Sequence, residues 1–508
     1  MQAAEQHTPI KTLVIVGGGT AGWMAAASLQ HHFKNTLSIT LIESSDIGSV
    51  GVGEATIPTL RRFYHSLGMN DLDVLRATQG TAKLGIQFND WHKLGSSFIH
   101  PFGVYGQDLQ GIGFHHFWLK LKQQNAAAVS ELGDYSLGAS LAKHKKFNVP
   151  VANPPSSLSR FDWALHLDAN LFAAHMREFA VARGVQHLDA KIEQVQLREQ
   201  DGFIESLLLA SGERIPGDLF LDCSGFRGLL IEEALHTGFE NWSQWLLCDG
   251  AFAVASKAQS EPASYTAVTA RPAGWQWEIP LQSRTGNGHV FSSQFMTDDA
   301  ARDLLLDNVS GDLLQEPRKI SFTPGRRRKA WNKNCIALGL SAGFLEPLES
   351  TSIALIETAI EKIKMLFPDQ SFNTSMIDEF NEMTALEYER VRDFIILHYK
   401  LSARTDTEFW RTCSAMKVPD SLDKKMTLFK TCGHFVRYRW EMFHSPSWLA
   451  LYAGFDYLPQ RYDPAVDSFP TDYVQASLQQ MKQSIANLVD DSMTHSEFIA
   501  RYAHLTSK

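Results

Sequence analysis

The sequence predicts an α/β fold in which a doubly wound sheet of the glutathione-reductase type binds a dinucleotide. A short apolar run, Thr12–Val16, is typical of a buried parallel strand, and a glycine turn follows it at Gly17–Gly22. A helix is predicted over Trp23–Phe33 and a second strand over Leu37–Glu43. Strand, turn, helix and strand therefore form a complete βαβ unit within about 35 residues.

The glycine turn has the spacing of a dinucleotide fingerprint, Gly-x-Gly-x-x-Gly. The first glycine permits the tight turn, the second lets the backbone approach a pyrophosphate, and the third allows close packing of helix and strand. An acid at the end of the second strand is placed to accept hydrogen bonds from a ribose. The predicted contacts with the dinucleotide are Gly17, Gly19, Thr20, Ala21, Gly22 and Glu43. The fingerprint alone does not distinguish FAD from NAD.

The remaining sequence predicts two regions. Residues 1–370 form the dinucleotide-binding domain, with insertions at about 80–160 and 242–325, and residues 371–508 form a mostly helical region that completes the substrate site. The first insertion reads as loop-rich and the second as an antiparallel substrate-region sheet. One apolar face with helical spacing supports the helical region: Ile377, Phe380, Thr384, Tyr388, Val391 and Ile395.

Composition excludes several functions. A formal net charge of −9 over 508 residues gives no basic footprint for nucleic acid. No apolar run approaches the ~20 residues that a membrane span requires, and no signal peptide is recognised. Five scattered cysteines without a Cys-x-x-Cys pair favour a reducing, cytoplasmic location over disulfides, and no metal site is predicted.

Several segments resemble the flavin-dependent tryptophan halogenase family over residues 12 to about 455. The most specific is the Trp-x-Trp-x-Ile-Pro hexapeptide, with its signature residues Trp275, Trp277 and Pro280. The other segments are Gly51–Pro58, His166–Ala169, Asn334–Gly339 and Gly343–Thr351. The resemblance implies FAD rather than NAD.

The resemblance also implies the chemistry and the partners. In this family a separate NAD(P)H flavin reductase supplies FADH2, and O2 together with bromide or chloride yields hypohalous acid. This oxidant passes through an internal tunnel to an aromatic small molecule. A homodimer is left open. Further flavin contacts implied by the resemblance are Gly53, Ile192, Leu340 and Ile353.

Two candidate catalytic residues match family positions. Lys83 matches the lysine that hydrogen-bonds or captures hypohalous acid, although most lysines are solvated surface residues. Glu349 matches the carboxylate that stabilises the arenium cation and accepts its proton, although a glutamate near a helix start is also favoured by the helix dipole. Glu346, directly before Pro347, is interpreted as a turn residue.

The halide and substrate sites follow from the same resemblance. Thr351 and Ser352 match the halide site, where the family usually has glycine at the second position. Because serine would not tolerate a glycine-only dihedral, we expect bromide, which is easier to oxidise, rather than chloride. His100, Phe102 and Trp448 match residues that flank an indole ring. The polar clamp of the tryptophan-specific enzymes is not found, which favours indole over free tryptophan.

Three alternatives remain at this stage. A flavin monooxygenase would hydroxylate its substrate beside the flavin, but Trp275 and Trp277 would exclude a substrate from that position. A tryptophan halogenase acting on free tryptophan would need the missing clamp. A non-enzymatic nucleotide-binding scaffold would not need Lys83 or Glu349 at matching positions.

Overall fold

The computed structural model of the chain describes residues 8–46, 53–125 and 129–503. It confirms the predicted α/β class, with several sheets and a helical C-terminal region. Gly51 and Val52, the first residues of the Gly51–Pro58 segment, lie outside the described residues.

A six-stranded sheet contains the predicted βαβ unit. Five of its strands run parallel, and a short antiparallel strand closes one edge. Four of the five residues in the central strand are buried, as the continuous apolar run predicted. In order across the sheet the strands are β20 (Trp331–Asn332), β21 (Cys335–Ala337), β12 (Leu219–Asp222), β1 (Thr12–Val16), β2 (Ser38–Glu43) and β8 (Gln186–Asp189).

A seven-stranded sheet lines a second hydrophobic core, separate from that of the six-stranded sheet. It confirms the antiparallel strands predicted for the second insertion. It also contains two strands of the first insertion, one of which pairs in parallel with a strand of the second. These two strands were not predicted within the loop-rich residues 83–160. Across the sheet the strands are β18 (Arg318–Ser321), β14 (Gly250–Lys257), β17 (Arg284–Phe291), β16 (Gly274–Pro280), β15 (Thr266–Arg271), β5 (Gly85–Asn89) and β6 (Ser97–Pro101).

Three small, three-stranded sheets accompany the two large sheets. The first places Lys83 at the end of a strand, directly before the seven-stranded sheet continues in β5. It consists of β3 (Gly53–Ala55), β7 (Ala164–Asp168) and β4 (Thr81–Lys83). The second consists of β11 (Arg214–Pro216), β10 (Ile204–Leu209) and β9 (Ile192–Leu197), and the third of β13 (Phe239–Asn241), β19 (Gly325–Arg327) and β22 (Gly343–Phe344).

The helices surround the sheets and dominate the C-terminal region. Within the described ranges, no helix is long and apolar enough to cross a membrane. The helices of the first 370 residues are α1 (Thr20–Phe33), α2 (Thr59–Ser66), α3 (Asp71–Ala77), α4 (Phe114–Gln124), α5 (Leu137–Lys143), α6 (Ala169–Val181), α7 (Asp298–Leu306) and α8 (Ser352–Met365). Those that follow are α9 (Thr374–Lys400), α10 (Glu408–Ala415), α11 (Asp420–Cys432), α12 (Ser445–Gly454), α13 (Thr471–Asp490) and α14 (His495–Phe498).

A buried ion pair joins α8 to α9. Lys362 Nζ lies 2.6 Å from Glu387 Oε2, and the hydroxyl of Thr358 donates to the same oxygen at 2.8 Å. Both charged side chains are almost completely buried. The pair fixes α9, which passes along the candidate site, against the helix that begins at that site.

Replacing Lys362 with methionine should destabilise the protein strongly, because Glu387 would keep a buried charge without its counter-ion. We expect the free energy of unfolding to fall by about 3–5 kcal/mol, measured by denaturant titration. Lys364→Met is the matched control on the same helix. Its lysine pairs with the exposed Glu361, and such pairs contribute about 0–1 kcal/mol. Equal losses in the two variants would contradict this role for the Lys362–Glu387 pair.

Candidate active site

The glycine turn after β1 has the geometry that a dinucleotide requires. Gly17 has a φ of +111°, and a Cβ there would lie 2.2 Å from the carbonyl oxygen of Cys223. A Cβ on Gly22 would lie 1.9 Å from the carbonyl oxygen of Gly17, so only glycine permits this close packing. At Gly19, by contrast, a Cβ would have no neighbour within 4 Å among the described residues. The turn therefore leaves open space at the helix N-terminus, where a pyrophosphate fits.

The predicted ribose ligand lies beside this turn. Glu43 ends β2, and its carboxylate is close enough that a Cβ on Gly18 would lie 1.7 Å from Oε2. His187 Nε2 lies 2.8 Å from the other carboxylate oxygen. Gly339 also approaches the turn, since its Cβ would lie 2.9 Å from the Cβ of Ala21. The residues present fit a bound adenine dinucleotide.

The other predicted flavin contacts are spread over several elements. Thr20 and Ala21 begin α1, and Leu340 follows Gly339 in a short 3-10 turn. Gly53 begins β3, where its main chain approaches Gly286 of β17. Ile353 is buried in α8, which packs against α1. Ile192 begins β9 and packs against the hydrophobic cluster under the six-stranded sheet.

Lys83 is fully buried at the end of β4, not solvated at the surface. Its ammonium donates to the carbonyl oxygen of Thr56 at 2.9 Å and to the hydroxyl of Ser350 at 2.8 Å. It also lies 5.2 Å from the ring centroid of Phe102. Burial lowers the pKa of Lys83 to about 7, although the charge of Glu349 partly opposes this shift. The lysine can therefore exchange a proton near neutral pH.

Glu349 is also buried, and two histidines hold its carboxylate. His100 Nδ1 lies 3.0 Å from Oε1 and 2.9 Å from Oε2, and His398 Nε2 lies 2.9 Å from Oε1. Burial raises the pKa of Glu349, but the charge and hydrogen bonds of the two histidines outweigh it and lower the pKa to about 2. The carboxylate is thus ionised at neutral pH, within the same buried cluster as the Lys83 ammonium.

The turn before α8 brings these groups together. Glu349 and Ser350 both have left-handed backbones, with φ values of +67° and +59°. Thr351 and Ser352 follow at the start of α8, where the first N–H groups lack intrahelical acceptors and can hold an anion. Ser352 is not among the described residues with positive φ, so its position does not need glycine. The backbone reason for expecting bromide rather than chloride is therefore removed.

Aromatic rings pack around the histidines that hold the carboxylate. The rings of Phe394 and Phe443 stack with centroids 3.8 Å apart, and Trp448 meets Phe394 edge-on at 5.0 Å. His100 lies 5.9 Å from Phe394 and 6.3 Å from Phe443. The structure thus places His100 and Phe102 directly at the Lys83–Glu349 centre, and it connects Trp448 to that centre through Phe394.

The signature tryptophans lie on β16, beside this centre. Trp275 and Trp277 are buried with ring centroids 6.0 Å apart, and Trp277 lies against Gly288, where a Cβ would be 2.0 Å from the ring. The carbonyl oxygen of Pro280 accepts a hydrogen bond from the hydroxyl of Thr81 at 2.7 Å, which ties β16 to the strand that carries Lys83.

Sequence reasoning missed two residues of the site. His398 and Phe394 belong to α9, and His398 follows Ile395 by three residues on the predicted apolar face. A polar residue on that face was the available signal. Glu346 does lie in the turn before Pro347, but its side chain is buried and accepts from the hydroxyl of Tyr399 at 2.9 and 3.0 Å. Burial raises the pKa of Glu346 to about 8.

The fold and the site together define a dinucleotide-dependent enzyme with a separate, buried Lys–Glu centre. The chain matches the tryptophan halogenase family model over residues 12–471 and belongs to that family. It is a flavin-dependent halogenase. Enzymes of this family use FADH2, O2 and a halide, and they generally depend on a separate flavin reductase and an aromatic substrate.

Two solved structures are similar to nearly the whole chain. BrvH, a flavin-dependent halogenase from Brevundimonas sp. BAL3, is 58% identical with a TM-score of 0.94, covering 97% of this chain and 99% of BrvH. Xcc4156, a flavin-dependent halogenase from Xanthomonas campestris, is 41% identical with a TM-score of 0.94, covering 98% and 100%. The tryptophan 6-halogenase ThaL of Streptomyces albogriseolus is 34% identical over 511 residues, covering 92% of this chain and 94% of ThaL.

Replacing Gly19 with valine should remove FAD binding without unfolding the protein. The glycine has an ordinary negative φ, and its Cβ position meets none of the described residues, so the side chain would occupy the path of the pyrophosphate. We expect the affinity for FAD to fall at least ~100-fold in a fluorescence titration, with an unchanged thermal midpoint as the control. Unchanged affinity would mean that the fingerprint is only a structural turn.

Proposed function

We propose that the protein uses the hypohalous acid generated from FADH2, O2 and halide to brominate indole or a related electron-rich aromatic, with Lys83 delivering the oxidant. The observation that carries this proposal is the cluster in which the Lys83 ammonium and the Glu349 carboxylate are both buried and joined through Ser350 and the turn before α8. When bound, FADH2 supplies the two electrons that activate O2. The protein's own residues then confine and direct the oxidant.

Lys83 is suited to handle hypohalous acid. Its position is fixed by two acceptors, Thr56 O and Ser350 Oγ, so the ammonium has a defined direction with one remaining hydrogen. An N–H donor aimed at the oxygen of hypohalous acid polarises the oxygen–halogen bond and makes the halogen more electrophilic. The lowered pKa of Lys83 also permits the neutral amine, which could carry the halogen as a haloamine.

Glu349 is suited to receive the proton that the substrate loses. Electrophilic attack on an aromatic ring gives an arenium cation, and a nearby carboxylate stabilises that charge and removes the proton. The pKa of about 2 keeps Glu349 ionised for this role at neutral pH. The residues that match the indole-flanking positions are His100, Phe102 and Trp448. In this proposal the ring of the substrate lies between their aromatic faces, where stacking is favourable.

Bromide remains the proposed halide, for a chemical reason alone. Its oxidation is easier than that of chloride, whereas the ordinary helical backbone of Ser352 does not discriminate between the two ions. The N–H groups at the start of α8 are the proposed halide donors, together with Thr351, which is buried.

An unsubstituted indole suits the pocket better than free tryptophan does. The charged groups beside Trp448 already neutralise each other, since Lys425 forms a buried ion pair with Glu441 and lies 4.3 Å from the centroid of the Trp448 ring. Phe443, whose ring centroid lies 6.3 Å from that of His100, presents an apolar ring. A zwitterion would lose its hydration there without gaining partners. An apolar pocket leaves attack to the most nucleophilic carbon of indole, the 3-position.

We also propose that a diffusing NAD(P)H flavin reductase supplies the FADH2 and that the protein is cytoplasmic. The five cysteines of the chain are all unpaired in the structure, which suits a reducing compartment.

Replacing Lys83 with alanine should separate halogenation from flavin oxidation. We expect the variant to consume O2 and reoxidise FADH2 at near-normal rates, because the oxidant is generated elsewhere. Brominated product should fall at least ~100-fold, because the oxidant is neither polarised nor positioned. Oxygen-electrode and product assays are run in parallel on one preparation.

The matched control is Lys120→Ala, which removes another buried lysine. Lys120 donates to the carbonyl oxygens of Val466 and Phe469, away from the candidate site, and its loss should leave the ratio of product to O2 unchanged. A wild-type product yield from Lys83→Ala would make that lysine a bystander. Loss of flavin oxidation together with product would give it a structural role instead.

Indole should be a better substrate than free tryptophan. We expect kcat/KM for indole in bromide to exceed that for tryptophan at least ~10-fold, with substitution at C3, because the pocket offers stacking but no unpaired charge. Both reactions are followed by mass spectrometry and NMR of the product with the same reductase. Efficient turnover of tryptophan at one benzo-ring carbon would contradict the proposed pocket.

A further inference from the structure

His398 is buried between a backbone carbonyl and a carboxylate. Its Nδ1 lies 2.9 Å from the carbonyl oxygen of Phe394, and its Nε2 lies 2.9 Å from Glu349 Oε1. A carbonyl oxygen can only accept a hydrogen bond, so Nδ1 carries a hydrogen. The first contact therefore fixes the protonation of one ring nitrogen.

The second contact then requires another proton. If Nε2 were bare and Glu349 were ionised, two acceptors would face each other at hydrogen-bond distance. The contact forms when Nε2 carries a hydrogen and His398 is an imidazolium, or when Glu349 is protonated and donates. In both cases the pair holds one shared proton and is neutral overall.

The surroundings place that proton on the histidine. His100 Nδ1 also lies within 3.0 Å of the Glu349 carboxylate, and the Lys83 ammonium belongs to the same cluster; a donor and a cation both favour an ionised acid. Among the described residues, the other ring contacts of His398 are with uncharged aromatic rings, at centroid distances of 5.1 Å to Phe88, 5.4 Å to Phe394, 6.0 Å to Trp91 and 6.3 Å to Phe455. Aromatic faces accommodate a cation.

We propose that His398 is a positioning residue that stays protonated at neutral pH, neutralises Glu349 and holds its Oε1. This inference rests on the proposed function for what Glu349 does, but not for the charge of His398. Glu349 Oε2 is buried and, although His100 Nδ1 lies 2.9 Å from it, makes no well-directed hydrogen bond within the described residues, because the hydrogen-bond geometry of His100 is to Oε1. Oε2 is therefore the oxygen left to receive the proton of the substrate.

The charge of His398 can be read without FAD, halide or substrate. In 15N-histidine-labelled protein, both ring nitrogens of His398 should show protonated chemical shifts throughout the neutral range. The signal is assigned by its loss in His398→Gln. An unprotonated ring nitrogen at neutral pH would overturn the proposal, whatever Glu349 does in catalysis.

His398→Gln provides the kinetic test. The glutamine amide can still donate to Glu349 from the position of Nε2, but it carries no charge, so the pKa of Glu349 should rise. Proton acceptance is lost as pH falls through that pKa. We expect product formation to decline at a pH at least one unit higher on the acid side, with unchanged FADH2 oxidation. A slower variant with the wild-type pH profile would show a merely structural role and overturn the proposal.

His289→Gln is the matched control. His289 is also fully buried, and its Nδ1 lies 2.9 Å from the carbonyl oxygen of Ala301, but its Nε2 has no hydrogen-bond partner among the described residues. Its replacement should leave the acid side of the pH profile unchanged, and a matching shift in this control would overturn the assignment to His398. Glu349→Gln, assayed separately, tests the proposed function: full activity in that variant would reject the proton-acceptor role and leave the NMR result for His398 standing.

Discussion

The buried carboxylate of Glu349 is the constraint on which the site depends. An ionised carboxylate removed from water costs several kcal/mol unless hydrogen bonds and opposite charges compensate it. Here the compensation comes from different layers of the fold: His100 on β6, His398 on α9 and the charge of Lys83 on β4. This carboxylate can be buried only when three elements are in place: the seven-stranded sheet, the small sheet that contains β4, and α9.

The backbone at Glu349 shows how closely the turn is determined. Two consecutive residues, Glu349 and Ser350, adopt left-handed conformations that cost of order 1–3 kcal/mol each and that glycine would adopt more easily. Glycine would remove both side chains, however. The carboxylate meets the two histidines, and the hydroxyl of Ser350 receives the Lys83 ammonium. The surrounding contacts therefore maintain a strained turn, because glycine, which adopts this backbone conformation more easily, could not supply these side chains.

The parts of the fold that could be predicted are those that depend on residues close together in the sequence. The βαβ unit follows from neighbouring strands, glycines and one helix, and the structure has β1 at the predicted bounds, with α1 beginning three residues earlier and β2 one residue later than predicted. β5 and β6 were not recognised, although they pair with each other; β5 also pairs with β15, about 180 residues further along the chain, and the local sequence does not show that long-range pairing. Lys83 and Glu349 were found through their flanking residues, whereas His398 looked like an ordinary residue on a helix face. Its role depends on a carboxylate 49 positions away in sequence.

Burial alone would push both charged groups of the centre toward their neutral forms, and the structure resolves this differently for each. Lys83 has one nearby negative charge and two uncharged acceptors, so burial prevails and its pKa falls to about 7. Glu349 has two histidines, and their charge and hydrogen bonds prevail over burial. At neutral pH the centre therefore combines a lysine that readily gives up a proton with a carboxylate that stays ionised. This difference in protonation between Lys83 and Glu349 matches the proposed chemistry, in which the lysine handles an oxidant before the carboxylate receives a proton.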